Sequence, residues 1–131
     1  MKGKKSRFGR KTTLALLASV AGLRVMKYLH RAKTETAKIQ VDALSAAINA
    51  YHLDMDRYPT PEEGMKALVE APANRGRWDG PYVQKRDSLM DPWGVPYRYK
   101  IPGRSAEFDV YTLGSDNREG GDGDAKDIGN W

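Results

Sequence analysis

The chain has 131 residues, of which 40% are hydrophobic, 30% are charged and none is cysteine. That length holds one core. The composition excludes a multi-span membrane protein and a wholly disordered chain, and the missing thiols exclude a disulfide framework, a thiolate metal site and a cysteine nucleophile. The net charge of +5 is unevenly placed: Lys2, Lys4, Lys5, Arg7, Arg10 and Lys11 crowd the first eleven residues without an acid, and the other 16 basic residues face 17 acidic ones.

A basic tail of this kind suits an anionic membrane face or nucleic acid. Residues 12–23 follow it as an uncharged, mostly apolar run. Such a run reaches about 18 Å as a helix, short of a hydrocarbon core of roughly 30 Å, so a span has to recruit charged flanks. The basic start, the short apolar run and the small residues Ser19 and Ala21 also fit a secretory signal segment. Residues 1–23 are therefore expected to serve export or membrane insertion. The plainer alternative is the opening turns of an amphipathic helix.

From Leu23 to Tyr58 there is neither glycine nor proline, and helix formers dominate. Ala37, Val41, Leu44, Ile48, Tyr51 and Met55 recur at alternating spacings of four and three, which puts them on one stripe. Lys33, Glu35, Asp42, Asn49 and Asp56 fall on the other side. Pro59 is expected to end the helix, because the residue before a proline avoids helical geometry. A helix over residues 23–58 is about 54 Å long. Residues 59–131 cannot cover that length, so its first half is expected to project. The alternative is two helices with a break near Thr34–Thr36.

Thr60-Pro61-Glu62-Glu63 has the pattern of a capping box with proline at the first helical position. It predicts a short helix from Pro61 to Glu70 that buries Met65, Leu68 and Val69. Residues 72–96 are rich in proline and glycine but hold Trp78, Tyr82 and Trp93, which predicts an ordered loop pinned by aromatics. Two strands follow. Residues 97–101 place Tyr97, Tyr99 and Ile101 on one face, and residues 107–113 set Phe108 and Val110 against Asp109 and Tyr111. Residues 102–106 join them as a hairpin. The expected fold is α+β, with a small antiparallel sheet on the apolar stripe of the long helix.

Asp116, Glu119, Asp122, Asp124 and Asp127 then crowd a glycine-rich stretch with little apolar material to hold it. A hard cation removes their mutual repulsion, and Ca²⁺ accepts six to eight oxygens in irregular geometry. The spacing is not that of an EF-hand. On composition, a calcium loop and a solvated acidic loop both stand.

Several blocks resemble the major pseudopilin of bacterial type II secretion systems. They are Val25-Met-Lys-Tyr-Leu29, residues 31–40, Asp54-Met-Asp-Arg-Tyr-Pro59, Thr60-Pro-Glu-Glu-Gly64, Asp79-Gly-Pro-Tyr82, Asp91-Pro-Trp-Gly94, Pro96-Tyr97 and Asp127-Ile-Gly-Asn-Trp131. The resemblance covers roughly residues 24–131, the expected domain, with residues 1–23 as an atypical membrane- or signal-like segment. The resemblance implies a pilin-like α+β fold with a calcium-binding C-terminal loop. It implies a homo-oligomeric helical filament, the pseudopilus, that is anchored in the inner membrane through its N-terminus, carries its domains in the periplasm and supports protein export. Minor pseudopilins and the inner-membrane secretion platform are the implied partners, Ca²⁺ the implied cofactor, and neither nucleic acid nor catalysis is expected. By matching position, the carbonyls of Leu113 and Arg118 and the carboxylates of Asp116 and Asp127 would hold the ion. Asp124 would complete the set, with Asp122 as its substitute.

The N-terminus departs from the family pattern. Family members carry a glycine–phenylalanine junction cut by a prepilin peptidase, a glutamate soon after it and a longer apolar run. Here Arg7-Phe8-Gly9 reverses the junction, and no acid precedes Glu35. The expectation is a copy that is divergent, degraded or altered at its start. Two alternatives to a filament subunit follow: a pilin-like DNA-uptake component, supported only by the basic tail, and an exported calcium-stabilised domain that no longer assembles. Against an enzyme, His30 and His52 are expected to face solvent on the long helix, and no Gly-x-Ser-x-Gly frame occurs.

Overall fold

The structure, a computed structural model, describes the backbone of residues 2–131 and the side chains of residues 22–131 apart from Asp124. The chain divides into two compact units, residues 1–32 and 33–131. One helix, α1 (Lys2–Met55, 54 residues), accounts for the first unit and opens the second. No proline precedes Pro59, and no break falls at Thr34–Thr36. In the first unit the residues from Gly22 to Arg31 are all exposed, Leu23, Val25, Met26, Tyr28 and Leu29 among them. The expectations for the basic tail and for the apolar run up to Ala21 rest on side chains that lie outside the described ones. Among the described residues, no helix is long and apolar enough to cross a membrane.

In the second unit the predicted stripe is the core. Ala37, Val41, Leu44, Ile48 and Tyr51 are all but inaccessible, and Met55 is half-buried at the margin. The helix stops before Pro59 is reached. Asp56 adopts a left-handed backbone (φ 57°), and its N–H still donates to the His52 carbonyl at 2.8 Å. Aspartate is among the few non-glycine residues that tolerate this conformation, so it terminates the helix earlier than the proline could.

Thr60 caps a turn rather than an α-helix. The Glu63 N–H donates to Thr60 Oγ1 at 3.1 Å, as the motif requires. Gly64 then turns to φ 60°, and the chain continues only as a 3₁₀ helix over Gly64–Leu68. The predicted helix over residues 61–70 is thus corrected to this shorter element. It buries Met65, Ala67 and Leu68, while Val69 is half-exposed. The Glu63 carboxylate reaches elsewhere than the cap amide. It accepts hydrogen bonds from Arg57 Nη1 at 2.9 Å, Arg57 Nη2 at 3.3 Å, Tyr51 Oη at 3.1 Å and Thr60 Oγ1 at 3.1 Å. This knot ties the end of α1 to the next turn. Burial pushes the Tyr51 phenol up to about 12.

The aromatic loop is ordered as expected. Trp78 Nε1 donates to the Ala67 carbonyl at 2.7 Å, and Tyr82 Oη donates to Asp54 Oδ2 at 2.6 Å. A further 3₁₀ turn spans Arg86–Leu89. Beyond it the Asp91 carboxylate, 6% exposed, organises the turn into the sheet. Its Oδ1 accepts from the Trp93 and Val95 N–H groups at 2.9 Å each, and its Oδ2 accepts from Thr112 Oγ1 at 2.5 Å.

The sheet has three antiparallel strands in chain order, β1 (Arg98–Lys100), β2 (Asp109–Thr112) and β3 (Ile128–Gly129). Tyr99 lies opposite Val110, and Thr112 lies opposite Ile128. Phe108, Val110 and Ile128 join the α1 stripe in one cluster, so the expected helix-on-sheet architecture is observed. The alternation sets Asp109 apart from Phe108 and Val110, and Asp109 is absent from their apolar cluster, yet it is only 2% exposed. The hairpin loop folds over it: the Arg104 N–H donates to both carboxylate oxygens at 3.2 Å, and Arg104 Nε lies 3.6 Å from Oδ2.

Candidate metal centre

The acidic loop leaves β2 at Leu113 and returns at Asp127, directly before β3. Both ends are fixed by the sheet. Leu113 is buried, and at the far end Asn130 locks the strand: its Nδ2 donates to the Phe108 carbonyl, and its Oδ1 accepts the Val110 N–H, each at 3.0 Å. Trp131 closes the terminus against Tyr111, with the Arg104 guanidinium 4.0 Å from its ring centroid. Between those ends the loop doubles back. Gly121 has φ 94°, and a Cβ placed there would stand 2.4 Å from the Ala125 carbonyl oxygen, so only glycine permits the approach.

The predicted ligands fall into two groups. Leu113 and Asp127 line one cavity of about 290 Å³, together with Glu119, Gly120, Lys100 and Arg104. Asp116 and Arg118 are exposed and joined to each other, Asp116 Oδ1 accepting the Arg118 N–H at 3.0 Å. Asp122 is exposed beside the 3₁₀ turn Gly123–Ala125, and the side chain of Asp124 lies outside the described residues. In the sequence Glu119 is one carboxylate among five; its place in the cavity comes from the loop's fold, which no spacing rule foretells.

Asp127 is the most telling of these residues. Its Oδ2 accepts the Gly120 N–H at 3.0 Å, while its Oδ1 is buried without a hydrogen-bond partner. A buried carboxylate oxygen left unsatisfied is costly, and a cation would remove that cost. The cavity that Asp127 lines offers the carboxylates of Glu119 and Asp109, groups that a hard cation takes, and also the cationic side chains of Lys100 and Arg104. Among the described residues, no three Asp, Glu, His or Cys side chains converge closely enough to hold a metal ion. A site here would therefore draw on backbone carbonyls as well as carboxylates.

Neither histidine belongs to this centre. His30 is exposed on α1, and His52 is half-buried with its ring stacked on Tyr58, the centroids 4.2 Å apart.

A family model described as type II secretion system (T2SS), protein G, matches residues 24–131. The chain belongs to this family. The type II secretion system core protein G of Pseudomonas aeruginosa is 41% identical over 123 residues, an alignment that covers 90% of this chain and 84% of that protein. The core protein G of Vibrio cholerae is 39% identical and covers 90% and 82%. Among solved structures, the major pseudopilin from the type 2 secretion system of enterohaemorrhagic Escherichia coli superposes with a TM-score of 0.66 at 32% identity, over 81% of this chain and 88% of that one. The fold is thus that of a pilin-like subunit, a long helix packed on a small antiparallel sheet.

Proposed function

We propose that this member of the type II secretion protein G family is a structural subunit of a pseudopilus and that calcium clamps its C-terminal loop. The match of residues 24–131 to the family, together with the helix-on-sheet fold, carries the first part. The partnerless Asp127 oxygen beside a polar cavity supports the second. The subunits repeat in a filament attached to the inner membrane, with the residues 33–131 unit in the periplasm. Their partners are further copies, minor pseudopilins and the secretion platform. The role needs no catalytic group.

The Leu113 and Arg118 carbonyls and the Asp116, Asp127 and Asp124 carboxylates would hold the ion, with Asp122 in reserve. Bound there, calcium would supply positive charge that neutralises the loop's carboxylates. The chain's own residues do the rest. Gly121 lets the loop close on itself, Asp127 holds the Gly120 N–H, and Asn130 and Trp131 fix the returning strand. An ion that binds only the folded loop stabilises the subunit by mass action.

The test is complementation of a secretion-deficient strain that lacks its own protein G. Restored export together with filaments that contain this chain is the expected result. Export that stays absent while the chain is folded and present in the envelope would overturn the assignment.

A further inference from the structure

The strand beneath the acidic loop is basic on the side that the loop covers. In β1 the alternation turns Tyr99 toward the core, where it packs on the apolar cluster, and leaves Arg98 and Lys100 exposed on the other face. The acidic loop meets that face at both residues. Arg98 Nη2 donates to Asn117 Oδ1 at 3.3 Å, and Lys100 lines the cavity of about 290 Å³ together with Glu119 and Asp127.

Three carboxylates (Asp109, Glu119, Asp127) and two cations (Lys100, Arg104) line this cavity. Arg104 is already committed: its backbone N–H and its guanidinium hold Asp109, and the guanidinium also lies over Trp131. Lys100 stands opposite Asp109 in the β1–β2 register, so the two side chains leave the sheet on the same face. Among the described residues Lys100 takes part in none of the ion pairs. Glu119 and Asp127 are the acids left to it, and one Asp127 oxygen is buried without a partner. A lysine ammonium brings three donors on a flexible stem, which suits a carboxylate oxygen in that state.

We propose that Lys100 is the loop's own counter-cation: in the calcium-free chain its ammonium pairs with Asp127 and Glu119 and holds the loop on the sheet, and calcium has to displace it. This inference rests on the proposed calcium clamp and adds a competitor built into the chain. One lysine neutralises one of the two acids, whereas a divalent ion neutralises both, so the ion prevails where it is plentiful. The loop is then closed in either condition and exchanges one positive partner for another.

Trypsin reads the loop directly, because Arg118 and Lys126 are exposed within it. In excess chelator the full chain carrying Lys100→Gln should be cut after these two residues about three- to fivefold faster than wild type, the opening expected when a partly exposed ion pair is lost. Cutting after the exposed Arg75 and Arg77 should be unchanged, and Lys100→Arg should restore the wild-type rate. Saturating calcium should erase the difference. By titration calorimetry Lys100→Gln should bind calcium about tenfold more tightly than wild type, because a cation and a divalent ion in one cavity repel. Lys85→Gln, which removes the same charge outside the loop and the sheet, should bind calcium as wild type does. Equal loop cutting of wild type and Lys100→Gln in chelator would overturn the proposal. So would a difference that bound calcium leaves in place, which would make Lys100 a fixed part of the sheet. Equal calcium affinities, or a gain shared by Lys85→Gln, would overturn it too. Should neither wild type nor Lys100→Gln bind calcium, the clamp itself falls, while faster loop cutting of Lys100→Gln in chelator still upholds the lysine as the loop's counter-cation.

Discussion

The core and the C-terminal loop of the residues 33–131 unit are held in opposite ways. The core joins α1 to the sheet through side chains such as Leu44, Ile48, Leu68 and Val110, each 2% exposed or less. Burial of one such side chain contributes about 1.5–3 kcal/mol. From Ser115 to Lys126 every described residue is exposed except Ala125, which is half-buried. The loop's order comes from polar contacts, such as Asp116 with the Arg118 N–H and Asp127 with the Gly120 N–H. The core should therefore respond little to ions, whereas on the proposed reading an ion would supply what the loop lacks in apolar surface.

That contrast can be broken at the core first. Leu44→Ala leaves a cavity beneath the helix and should cost about 3–4 kcal/mol, a fall of roughly 4–8 °C in melting temperature per kcal/mol, with or without calcium. Asp91→Ala comes next. It strands the Trp93 and Val95 N–H groups and the Thr112 hydroxyl, and should cost about 3 kcal/mol by denaturant titration. A loss in either variant that depended on calcium would show the two regions to be coupled.

If the proposed clamp holds, the loop answers to the ion instead. At a free calcium concentration a hundred times the dissociation constant, binding stabilises the fold by about 2.7 kcal/mol. Excess chelator should lower the melting temperature accordingly, and Asp127→Asn or Asp116→Ala should abolish the difference between chelated and calcium-loaded samples. A melting curve unmoved by chelator would remove the clamp and leave the loop as a polar lid on the sheet.

The legible parts of the sequence were those set by periodic burial. The spacing of Ala37 to Tyr51 foretold the core face, and the Tyr97–Ile101 and Phe108–Val110 patterns foretold the hairpin. Single-residue backbone choices were not legible. Asp56 and Gly64 turn left-handed where the capping and proline signals promised helix. Asp109 looked like an outward polar residue because its partner, Arg104, is supplied by the folded hairpin. In the candidate site the residue types were readable, but the grouping of Leu113 with Asp127 and Glu119 depends on how the glycines route the loop.

The smallest effect sharpens the comparison at the other end of the helix. Glu63 is polar like the loop acids yet needs no ion, because Arg57, Tyr51 and Thr60 satisfy it. Burial opposes its charge, but those donors outweigh burial and hold its carboxyl below the usual range. A carboxyl depressed in the folded state contributes stability that is fully present above its unfolded value and is lost as pH falls through its folded one. The melting temperature should thus hold through neutral pH and decline only below the ordinary carboxylate range. Glu63→Gln should remove that acid-side slope at a cost of about 1 kcal/mol at neutral pH. Calcium should leave the difference between wild type and Glu63→Gln unchanged, because the Arg57–Glu63 knot and the loop use separate charges, although the ion's own carboxylate ligands add to the acid-side slope of both. A difference between the two proteins that moved with calcium would mean that the two ends of the domain titrate as one.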